Sequence, residues 1–128
     1  MNSPKLFKIT EEDKAKYKVI IDNIDPIQKK SIIDVLGLKI QKILDDGNLN
    51  TLEIKLIEDM AVLVQILEFN QNLPISVIKK ILFAMSYFID ENDEIPDVIP
   101  DYGYLDDISV VSWIMEDIQN SIPEFTRV

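Results

Sequence analysis

Carboxylates are the only side chains in this sequence present in the numbers and spacing that could do chemistry, and they are unevenly placed. The stretch Asp90 to Asp107, DENDEIPDVIPDYGYLDD, holds eight of them in eighteen residues, with no lysine or arginine among them. Oxygen ligands of this kind suit hard cations such as calcium, magnesium or manganese. The same acids on an exposed segment would instead steer a basic protein surface. Asp93, Asp97, Asp106 and Asp107 are the candidate metal ligands, although their spacing matches no EF-hand loop, since Ile95 stands at the glycine position when Asp90 is the first ligand. Glu91, Glu94 and Asp101 are the candidate partner-binding acids, because no helix cap or turn requires them. Tyr102 and Tyr104 are the candidate aromatic anchors between those acids, with Trp113 nearby.

A third reading is purely structural. Asp106 is placed to cap a following helix, Asp97 and Asp93 to accept from loop amides, and the remaining charge to aid solubility.

Composition narrows the chemistry further. The chain of 128 residues has no cysteine and no histidine. There is therefore no disulfide, thiolate nucleophile, imidazole base or histidine/cysteine zinc site. Three glycines leave no phosphate-cradling loop. A carboxylate pair could act as acid and base in glycoside hydrolysis, but these acids cluster in one connecting segment, so a non-enzymatic protein is the expectation.

Charge distribution tells more than its total of −10. Residues 1–80 contain twelve lysines and twelve acids, whereas residues 81–128 contain eleven acids and one cation, Arg127. Such a field repels nucleic acid and anionic membrane and attracts cations or basic proteins. A mimic of nucleic acid that blocks a DNA-binding protein is compatible with it. The most apolar windows, 60–67 and 81–89, are too short to span a bilayer, and the lysines near the start are followed by no uninterrupted apolar region. A soluble cytoplasmic protein is expected.

The elements that must position the acids read as helices throughout. Thr10 precedes Glu11, Glu12 and Asp13 as an N-cap, and Tyr17, Ile20, Ile21 and Ile24 follow at helical spacing, predicting a helix over about 11–23. Asp25-Pro26 marks a second start. Ile33, Leu36, Ile40, Ile43 and Leu44 form its stripe, and Gly47 its stop. Gly37 in that stripe is expected to admit a closely packed neighbouring helix. Asn50 and Glu53 have capping-box spacing ahead of a third helix over about 51–70. The run Asp46-Gly47-x-Leu49-x-x-x-Glu53 matches the second half of an EF-hand loop, but Lys42 and Leu44 stand where the first ligands belong, so a turn is expected. Pro74 opens a fourth helix over about 74–89, apolar nearly all round after Lys80 and hence central. A fifth, about 106–121, presents Ile108, Val111, Ile114, Met115 and Ile118, and Leu105 and Val110 are spaced as a hydrophobic staple. The expected fold is all-α, a compact bundle of about five helices in one domain, with an acidic Pro/Gly loop between the last two. Residues 10–73 make its three-helix part and 74–121 a hairpin.

The segment Asp93-x-Ile95-Pro96-Asp97-x-Ile99-Pro100-x-x-Gly103-x-x-Asp106-Asp107 resembles the signature of the YkvA-like bacterial domains of unknown function. In that family an apolar helix, a loop P-x-D-x-I-P-D-x-I-P-x-x-G-x-x-D-D and a second apolar helix form a hairpin. Glu91 stands at the family's first proline, and Glu94 and Asp101 at positions commonly apolar there. The likeness covers about residues 80–118. It implies a hairpin and no activity.

Overall fold

The structure, a computed structural model, describes residues 9–70, 72–89 and 105–121. They form α1 (Glu11–Asp22), a 3-10 turn (Pro26–Gln28), α2 (Lys29–Asp46), α3 (Thr51–Phe69), α4 (Ile75–Ile89) and α5 (Leu105–Ser121), with no strand among the described residues. The all-α bundle expected from the sequence is the fold observed.

Local chemistry sets the helix starts. The Thr10 hydroxyl accepts from the Asp13 amide at 3.0 Å, and the Asp13 carboxylate accepts from the Thr10 amide at 3.1 Å. Asn50 and Glu53 repeat this reciprocal cap at α3, at 2.8 and 3.0 Å. Each box satisfies two amides at a helix start. Glu53, the last position of the partial EF-hand match, is thus occupied in capping. Asp25 accepts from the Ile27 amide at 3.1 Å, but the turn it opens is 3-10 before the chain settles into α2. Gly47 closes α2 with φ 84°, the left-handed conformation that glycine adopts without a Cβ penalty.

The central element is α4. Val77, Ile81, Leu82, Phe83, Ala84, Met85 and Phe88 are all buried, and the helix packs against α1, α2, α3 and α5. Pro74 starts it, with its carbonyl accepting from the amides of Val77 and Ile78 at 3.0 and 3.1 Å. The apolar circumference read from the sequence follows from that position, because a helix surrounded on its sides has no solvent face to keep polar. Around it lie Tyr17 and Ile21 of α1, Leu36 and Ile43 of α2, Leu56, Met60, Leu63 and Leu67 of α3, and Val110, Val111, Ile114, Met115 and Ile118 of α5.

Two expectations about α2 are corrected. Gly37 is exposed, and a Cβ built on it would meet nothing within 4 Å, so no helix approaches closely there. Leu44 is 46% exposed and lies off the buried stripe, which runs through Leu36, Ile40 and Ile43. At 100° per residue Leu44 stands at the edge of the stripe, about 80° round from Leu36, so the apolar letter alone overstated the stripe. A third correction concerns α5. The helix already includes Leu105, so Asp106 lies inside its first turn and not at the N-cap.

Candidate functional site

The two helices that bracket the acidic stretch are placed by contacts that the fold supplies from elsewhere. At the end of α4, the Lys39 ammonium of α2 donates to the Phe88 carbonyl and sits 4.6 Å from the centroid of the Phe88 ring. A cation at a helix C-terminus answers the negative end of the dipole, and its position over the ring adds a cation–π contact. Lys39 therefore fixes the point from which the chain enters DENDE. The sequence signal for it is spacing: Leu36, Lys39 and Ile43 fall on one face, so the lysine stem points inward with the stripe. The sequence reading missed it.

At the other bracket, α5 is held to α4 and α1. Lys80, in the first half of α4, pairs with Asp117 near the end of α5, the pairing of an antiparallel hairpin. On the α1 side, Tyr17 packs 5.4 Å from Phe83, 5.9 Å from Tyr87 and 5.9 Å from Trp113 between ring centroids. This aromatic cluster ties three helices through one side chain and was also missed, because its members are distant in sequence. Lys79 completes the arrangement by donating to the Asp22 carbonyl at 2.9 Å, at the C-terminus of α1. Between α1, α4 and α5 lies a groove of about 350 Å³ walled by Trp113 and Ile114, with Lys18, Asp22, Lys80 and Asp117 around it.

Of the candidate site residues, Asp107 is the one whose side chain can be placed. It is fully buried in the first turn of α5, where unpaired amides and the positive dipole end favour a carboxylate. Asp106 precedes it in that turn. Glu91, Asp93, Glu94, Asp97, Asp101, Tyr102 and Tyr104 lie outside the described residues, as does the Pro/Gly loop expected between the last two helices. Among the described residues no group of three or more acids could hold a metal ion. Trp113 is partly buried against Tyr17, in keeping with its place beside the apolar face of α5.

One other buried acid went unnoticed in the sequence. Asp59 of α3 is buried and accepts from Lys55 at 2.9 and 2.8 Å. The i, i+4 spacing of Lys55 and Asp59 is visible, but burial of the acid depends on where α3 packs. Among the described residues no helix is long and apolar enough to cross a membrane.

A family described as a protein of unknown function (DUF1232) matches residues 77–113, from the first turn of α4 into α5. The match takes in less than a third of the 128 residues, and it supports a domain of unknown function over the helical pair and the segment joining it. No curated protein and no solved structure matches the chain.

Proposed function

We propose that this is a non-catalytic binding protein whose acidic stretch 90–107 engages a basic protein surface, in the way of an inhibitor, an immunity protein or an adaptor. The observation that carries the reading is the division of charge: zero net over residues 1–80 and −10 over residues 81–128. Glu91, Glu94 and Asp101 steer association, and Tyr102 and Tyr104 anchor the complex once formed. The narrower YkvA-like likeness fits a hairpin with acids at Glu91, Glu94 and Asp101 where that family is less polar. The helices on either side are secured by Lys39 and by the Lys80–Asp117 pair. Ends held in this way lower the ordering cost of binding through the segment between them.

The test is a pull-down from the native host with two baits, the unmodified chain and the variant Glu91→Gln, Glu94→Gln, Asp101→Asn. A basic protein retained by the first and lost from the second, with weaker capture as salt rises past about 0.15 M, supports the reading. Identical sets of retained proteins from both baits would overturn it.

A further inference from the structure

We draw no further inference here: the strongest candidate, the groove between α1, α4 and α5 walled by Trp113, sets Lys18 and Lys80 against Asp22 and Asp117, and with those charges balanced nothing in the structure shows what would occupy it.

Discussion

Residues 1–80 and residues 81–128 hold nearly equal numbers of acids, twelve and eleven, yet the first part has twelve lysines to set against them and the second a single arginine. In the first part the answer is local. Glu11 pairs with Lys14, Asp34 with Lys30 and Asp59 with Lys55, each one helical turn away. In the second part, Asp117 draws its partner from the start of α4, and Lys39 reaches the end of α4 from α2. The difference teaches that acidic content says little, whereas the supply of cations within a turn or two says whether an acid serves its own helix. The acids of the 90–107 stretch have no lysine or arginine within that stretch to pair with.

The sharpest way to break the comparison is through the core shared by the two parts. Phe88 is fully buried in α4, whereas Phe69, at the end of α3, is 80% exposed. Phe88→Ala should lower unfolding free energy by about 3–5 kcal/mol in urea titration. Phe69→Ala should stay within about 0.5 kcal/mol. Similar losses from the two would deny α4 its central place.

A second contrast concerns the local pairs themselves. Lys30 and Asp34 are 88% and 64% exposed, while Lys55 is 48% exposed and Asp59 only 3%. Lys30→Met should cost less than about 1 kcal/mol, since water already solvates both partners. Lys55→Met should cost about 1–3 kcal/mol, because it strips a buried carboxylate of its charged donor. Equal effects in chemical denaturation would mean that Asp59 is solvated after all.

The smallest effects separate two glycines of one helix. Gly37→Ala should raise stability by about 0.5–1 kcal/mol, as the added methyl meets nothing and removes backbone freedom from the unfolded chain. Gly47→Ala should lower it by about 1 kcal/mol, because φ 84° strains any residue with a Cβ. Thermal melts of both variants check the pair, and a loss at Gly37 would restore the close helix approach that the structure denies.

How far the fold was legible follows from the range of the signals. Caps and breakers act within four residues, so Thr10, Asn50, Pro74 and Gly47 could be read directly and mark real boundaries. Even there, Asp106 as a cap was two places late, since a good capping residue type does not forbid the helix from starting earlier. Central burial of α4 was legible because an all-round apolar helix has no alternative. Contacts between helices were not. Lys39 on Phe88 joins positions 49 apart in sequence, and the Tyr17 cluster joins α1 to α4 and α5. Neither leaves a periodic trace. The burial of Asp107 was hidden for the same reason: only packing decides that water is excluded from it.

The claim that the acidic stretch is an interaction surface is tested most directly by association kinetics with a basic partner captured from the host. Three chains are compared: unmodified; Glu91→Gln, Glu94→Gln, Asp101→Asn; and Glu12→Gln, Glu58→Gln, Glu68→Gln. The last set removes the same charge from exposed positions in residues 1–80. Electrostatic steering acts over about 8 Å at physiological salt, so the account predicts a severalfold slower on-rate for the first variant and little change for the second. Equal slowing by both would mean that only net charge matters, and the acidic stretch would cease to be a site.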